Sequence, residues 1–178
     1  MKIRLDSARN EPFRWEETVS IAGAAVGLGP ESELSPISVR GSLSRVGSDL
    51  LLEANLQFQL TVPCDRCTAP VRADVASTLQ LVVAPGKSAG HEDGEHELSE
   101  DDFGVLAVSG PGLETEPLIA EQVELELPAH PLCRPDCAGL CPICGGDRNL
   151  VECGCAAAEF DPRWVALATM RKKLGKRG

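Results

Sequence analysis

Eight cysteines carry the strongest site chemistry of this 178-residue chain. Six of them lie in the run LCRPDCAGLCPICGGDRNLVECGC, at Cys133, Cys137, Cys141, Cys144, Cys153 and Cys155, and the other two form CDRC at Cys64 and Cys67. A C-x2-C spacing puts two thiolates on one tight turn, within reach of a single ion, and eight thiolates divide into two tetrahedral four-sulfur sites of the kind structural zinc prefers. Cys141, Cys144, Cys153 and Cys155 are expected to form one site, because so short a loop closes at modest entropic cost. Cys64 and Cys67 would then join Cys133 and Cys137 in the other. Spacing alone also permits exchange of partners between the two. In GLCPICGG, Gly145 and Gly146 allow backbone conformations that turn amides toward the sulfurs, and Gly154 lets Cys153 and Cys155 face one ion.

Competing readings of the thiols are weaker. Disulfides need an oxidising compartment, and the runs that hold iron-sulfur clusters have several short gaps feeding one cluster. A redox C-x-x-C sits at a helix amino terminus after a strand, whereas CDRC falls between two strands. The zinc deaminase signature needs an H-x-E upstream of its cysteine pair, but His91, His96 and His130 all follow Cys67. His91 and His96 fall in an acidic stretch and read as solvated. His130 is either a neighbour of a zinc sulfur or a surface residue. No phosphate-cradling glycine loop or nucleophile elbow is present. There is no tyrosine and few aromatics, which disfavours a base-stacking platform. Trp15 and Trp164 read as core or seam residues.

The elements that must position these thiols follow from periodicity. In DLLLEANLQFQLTV, Leu50, Leu52, Ala54, Leu56, Phe58, Leu60 and Val62 take every second place, the mark of a long half-buried strand. Alternation resumes after CDRC with Val71, Ala73, Val75, Ser77, Leu79, Leu81 and Val83, so a hairpin is expected with Cys64 and Cys67 at its tip. Ile37–Val46 alternates likewise and predicts a third antiparallel strand. Residues 3–29 read weakly, as edge strands. Residues 85–102 are polar, acidic and aperiodic, an excursion rather than a site. TEPLIAEQVELELP predicts a helix near 116–126, with Thr115 as cap and Pro117 in its first turn. A closing helix is expected from Asp161 and Pro162, with Trp164, Leu167, Ala168 and Leu174 on its apolar side. The two C-x2-C motifs stand in different contexts and no internal repeat is evident.

The fold class is therefore α+β: an antiparallel sheet with short helices and a cysteine-rich carboxyl-terminal zinc knuckle. Residues 1–130 are expected to be mainly β, and residues 131–178 to pack on the sheet within one folding unit. No signal segment or membrane span is read, and clustered cysteines without one suit a reducing cytoplasm. A net charge of −10 disfavours broad attraction to phosphate backbones. The basic end, with Arg171, Lys172 and Lys173, either touches RNA or an acidic protein face, or complements a helix dipole.

The order of C-x-R-C after a long strand, VELELPAHPLC, C-x3-C-x-GLCPxCG, C-x-C and DPRWVAL resembles the bacterial YceD family, the large ribosomal RNA subunit accumulation proteins. The likeness covers about residues 50–174. It picks out Cys64, Arg66, Cys67, Glu124, Leu127, Pro128, the six later cysteines, Gly139, Leu140, Pro142, Gly145, Asp161, Pro162, Arg163 and Leu167. It departs at Arg148, where the family usually has an aliphatic residue. The resemblance implies a cytoplasmic role in synthesis, processing or survival of 23S ribosomal RNA and implies no known catalytic activity, so a non-catalytic role is expected. Expected partners are the large ribosomal subunit precursor, its RNA or an associated protein, with no membrane and no small-molecule substrate. The expected cofactor is structural zinc, as two ions. Candidates for RNA or partner contact are Arg66, Arg148, Arg163, Arg171, Lys172 and Lys173. Two alternatives stand beside it: a general zinc-stabilised adaptor unrelated to ribosomes, and a zinc or thiol enzyme, which needs an open metal position or a depressed thiol pKa.

Overall fold

The computed structural model describes residues 1–86, 104–155 and 170. The expectations for the acidic excursion with His91 and His96, and for the closing helix with Arg163, Trp164, Arg171, Lys172 and Lys173, lie outside them. The chain divides into two compact units, Met1–Cys137 and Ala138–Gly178, so Cys133 and Cys137 belong to the first.

The first unit is built on its longest alternating segments. Strands β1 (Lys2–Arg4), β2 (Phe13–Val19), β3 (Glu33–Leu34), β4 (Ile37–Val46), β5 (Asp49–Pro63), β6 (Pro70–Pro85), β7 (Val105–Val108) and β8 (Gly112–Glu114) precede one helix, α1 (Thr115–Leu125). The main sheet runs β2-β4-β5-β6-β7, with β3 added against β5, and β1 pairs with β8 in a separate ribbon. Every β5 residue expected to face inward, Leu50 through Val62, is buried. A side-chain period of two gives this strand one apolar face. The β5–β6 register sets Leu50 opposite Val83 and Val62 opposite Val71, which brings the tips of both strands together at Pro63 and Pro70.

One pairing departs from the expected antiparallel order. β7 lies parallel to β6, with Val82 opposite Val105. A parallel neighbour cannot follow by a tight hairpin and needs a longer connection, which is why a long polar stretch separates the two strands in sequence.

A second layer covers the apolar face. Ile3 of β1, Leu113 of β8, Ile119 and Val123 of α1, and Val26 of the 3-10 turn Gly23–Val26 share one buried cluster with β4 and β5. α1 matches the expected helix almost residue for residue, although Thr115 is its first residue and no side chain caps it. The helix is also tied to the sheet through a polar contact: the Ser77 hydroxyl donates to Glu126 at 2.5 Å and accepts from Gln122 Nε2 at 2.8 Å. With those partners in place, burying Ser77 on an otherwise apolar face leaves no polar group unpaired. Trp15 is buried on edge strand β2, directly opposite Gly41, and its ring occupies the space where a Cβ at position 41 would stand.

Candidate metal centres

The first centre begins where the hairpin ends. Cys64, Asp65, Arg66 and Cys67 form the turn joining β5 to β6, and two backbone bonds fix it: the Cys64 N–H donates to the Ala69 carbonyl (2.8 Å), and the Thr68 N–H donates to the Cys64 carbonyl (2.9 Å). Thr68 adopts a positive φ of 60°, and its hydroxyl donates to the Cys67 carbonyl at 2.7 Å. That local bond helps a residue with a Cβ occupy the left-handed region. The tip is then fastened to the segment carrying the other two thiols. Asp65 N–H donates to the Pro131 carbonyl at 2.9 Å, and Arg66 Nη1 donates to the Cys137 carbonyl at 2.9 Å. Cys64, Cys67 and Cys137 are buried and pack with Ala69, Val71 and Leu132; Cys133 is exposed.

The second centre lies in the second unit, and its turn repeats the first bond for bond. The Cys141 N–H donates to the Gly146 carbonyl (2.8 Å), and the Gly145 N–H donates to the Cys141 carbonyl (2.9 Å). Gly145 has a φ of 71°, at the position Thr68 holds in the first turn. Leu140 and Asp147 form a single antiparallel bridge, as Pro63 and Pro70 do at the end of the first hairpin. The two C-x2-C motifs therefore share one hairpin geometry, which their different sequence contexts concealed. Past the bridge, the Asp147 carboxylate accepts from the Asn149 N–H at 2.8 Å, and Asn149 Oδ1 accepts from the Ala138 N–H at 2.8 Å. Val151 N–H closes the turn on the Asp147 carbonyl. This leads the chain round to Cys153 and Cys155. Only Cys141 of this group is buried; Cys144 is exposed and Cys153 and Cys155 are half-buried.

In each unit the sulfurs converge. Cys64, Cys67, Cys133 and Cys137 form one group and Cys141, Cys144, Cys153 and Cys155 the other, with all four sulfurs of each within 4.8 Å of one another. Around tetrahedral zinc, with each sulfur at about 2.3 Å, neighbouring sulfurs stand about 3.8 Å apart. The Cys64–Cys137 and Cys67–Cys133 sulfurs are 3.9 and 3.6 Å apart. These separations fit a four-sulfur metal cage and are far beyond a disulfide bond of about 2.0 Å. Both groups can hold metal ions such as zinc.

The charge balance agrees. Burial works to raise the Cys64 thiol, but N–H groups of Cys133, Arg66 and Cys67 directed at its sulfur hold it at about 6. Backbone amides of Cys144 and Ile143 similarly hold Cys141 at about 6. Cys133 is pushed up to about 12, first by the Cys137 side chain and then by burial, and Cys155 to about 12, first by Cys144. Amides aimed at Cys64, from Cys133 as well as from its own turn, and at Cys141 thus favour one thiolate in each group, while neighbouring sulfurs oppose ionisation of Cys133 and Cys155. A divalent cation among the sulfurs supplies the positive charge that four thiolates require.

Of the contact candidates, Arg66 is exposed but spends one guanidinium nitrogen on the Cys137 carbonyl. Arg148 is exposed, and its backbone N–H donates to the Gly139 carbonyl. His130 is an exposed partner of Asp65 in the first cysteine turn, with Nδ1 3.1 Å from the carboxylate. Thr68, Asp147 and Asn149 were not singled out by sequence. The signal for Thr68 was available in its offset, since it follows CDRC as Gly145 follows CPIC.

The family model for "Large ribosomal RNA subunit accumulation protein YceD" matches residues 52–171, well over half of the chain. The chain belongs to this family. Its match takes in both cysteine groups, so the two centres lie within the part shared with the YceD family. Curated relatives add likeness without a role. An uncharacterized protein of Mycobacterium tuberculosis is 41% identical over 125 residues, covering 70% of this chain and 57% of that protein. A Mycobacterium leprae protein, also uncharacterized, is 33% identical over 136 residues, covering 76% and 59%. The chain thus spans under two thirds of the length of these relatives. No solved structure matches it. Among the described residues, no helix is long and apolar enough to cross a membrane.

Proposed function

We propose that this YceD-family chain is a non-catalytic, zinc-held factor needed for the synthesis, processing or accumulation of 23S ribosomal RNA in the cytoplasm. The observation that carries the reading is membership of a family described by large ribosomal RNA subunit accumulation. Two four-cysteine groups of tetrahedral dimensions support structural zinc, one ion in each. With all four ligands supplied by sulfur, neither ion keeps a position for water or substrate, which is the arrangement of structural rather than catalytic zinc.

The large-subunit precursor is the partner, reached through its RNA or an associated protein. The net charge of −10 favours the protein route, because binding to a phosphate backbone rests on a surplus of Lys and Arg. The test is the ratio of 23S to 16S ribosomal RNA in a strain lacking the protein, rescued by the native chain or by Cys141→Ser/Cys144→Ser. Selective loss of 23S, restored by the native chain alone, is expected. An unchanged ratio would overturn the ribosomal role in favour of a general adaptor.

A further inference from the structure

We propose that the second centre is an oxidation-sensitive modification site: a peroxide converts part of its thiolate cage to a disulfide and expels its zinc, while the first centre keeps its own. The inference rests on the reading that both centres hold zinc. What distinguishes them is access. In the first, three of the four sulfur-bearing residues are buried among Ala69, Val71 and Leu132, and the exposed Cys133 is flanked by bonds that hold the tip to its segment, Asp65 to Pro131 and Arg66 to Cys137. In the second, Cys144 is exposed, Cys153 and Cys155 are half-buried, and Cys141 alone is buried.

The chemistry needs more than one sulfur to reach solvent. Attack on hydrogen peroxide by the Cys144 sulfur forms an S–O bond as the O–O bond breaks, giving a sulfenic acid and, with one proton, water. A second thiolate, Cys153 or Cys155, then displaces that oxygen and forms the S–S bond. The oxygen leaves as a second water after taking up a further proton. Two thiolates have lost two electrons, the peroxide has gained them, and the ion is left with two sulfurs in place of four. Both candidate partners are already close, since all four sulfurs lie within 4.8 Å of each other. Thiolate character and exposure together govern this route. The segment from Val151 to Cys155 carries no strand or helix that would hold it once the ion is gone.

The full chain, isolated under reducing conditions, is treated with increasing hydrogen peroxide while a chromogenic chelator reports released zinc and differential alkylation with mass spectrometry maps the thiols. The expected result is loss of one of two zinc equivalents, with Cys144 and either Cys153 or Cys155 becoming disulfide-linked, and with Cys64, Cys67, Cys133 and Cys137 still protected. Thiol reductant with added zinc should restore the second equivalent. Cys153→Ser/Cys155→Ser removes two ligands of the second centre, so this variant should carry one zinc equivalent from the start and release it only at the peroxide level that strips the first centre of the native chain. Release of both ions together, earlier loss at the first centre, or release without a disulfide would overturn the proposal. Fewer than two equivalents in the native chain before any peroxide is added would overturn the zinc reading itself, and this proposal with it.

Discussion

The two cysteine turns have the same local hydrogen bonds but opposite surroundings. At the hairpin tip, the turn ends two long paired strands and collects its other thiols from far along the chain: Cys67 and Cys133 are 66 positions apart. In the second unit, the turn stands on a single bridge between Leu140 and Asp147 and takes Cys153 and Cys155 from a few residues on. The position after the first cysteine marks the divergence. Asp65 offers an N–H to the Pro131 carbonyl, whereas Pro142 has none to offer. One geometry thus serves as a long-range staple in the first unit and as a local loop in the second. Ligand type and turn geometry do not by themselves tell how much of a fold a metal holds.

The sharpest way to break this comparison is to remove one pair of ligands at a time. Cys64→Ser/Cys67→Ser should halve bound zinc and broaden or abolish the cooperative melt of the first unit, since a structural zinc site in small domains contributes on the order of 10 kcal/mol of binding free energy to folding. Metal analysis with circular dichroism melting reads both effects. Unchanged zinc content would show that the sulfurs paired in space are not the ones that share an ion. Cys141→Ser/Cys144→Ser should also halve the zinc yet leave the β-sheet melt within a few degrees of native. A collapse of the sheet signal would mean that the second centre is not local.

Finer changes separate the two turns. Gly145→Thr places a Cβ at φ 71° and should weaken zinc retention at the second centre by about 1–2 kcal/mol, roughly tenfold in a chelator competition. Arg66→Ala removes the donor to the Cys137 carbonyl and should cost the first unit about 1 kcal/mol. Its measurable sign is a small drop in denaturation midpoint with zinc at the second centre unaffected. Thr68→Gly should have the smallest effect, under about 1 kcal/mol, because relief of the left-handed backbone is offset by loss of the hydroxyl bond to the Cys67 carbonyl. A large loss there would mean that the Thr68 hydroxyl, rather than the backbone turn, orients Cys67.

Much of the architecture was legible because apolar period and cysteine spacing are both local signals. β4 falls on the alternating residues expected, the β5–β6 hairpin carries its thiols at the tip, and α1 differs from the expected span by one residue at each end. The grouping of the sulfurs follows the division argued from loop closure, although spacing alone left exchange open. What escaped reading lacked such signals. β7 has four residues, and nothing in Val105–Val108 tells whether it runs with or against β6. β2 was weak because Glu17 interrupts its inward row, where it accepts from the Trp15 indole. The shared turn was hidden because a threonine at positive φ does not look like a glycine, although both follow the second cysteine.

The wide separation of the first centre's ligands also sets a timetable during translation. Synthesis at about 5–20 residues per second leaves Cys64 and Cys67 without Cys133 for roughly 3–13 s after they are made. The nascent hairpin presents an incomplete chelate throughout that interval. On the proposed zinc reading, the first centre can close only after Cys137 has been made, so an ion captured earlier would be held by two sulfurs alone.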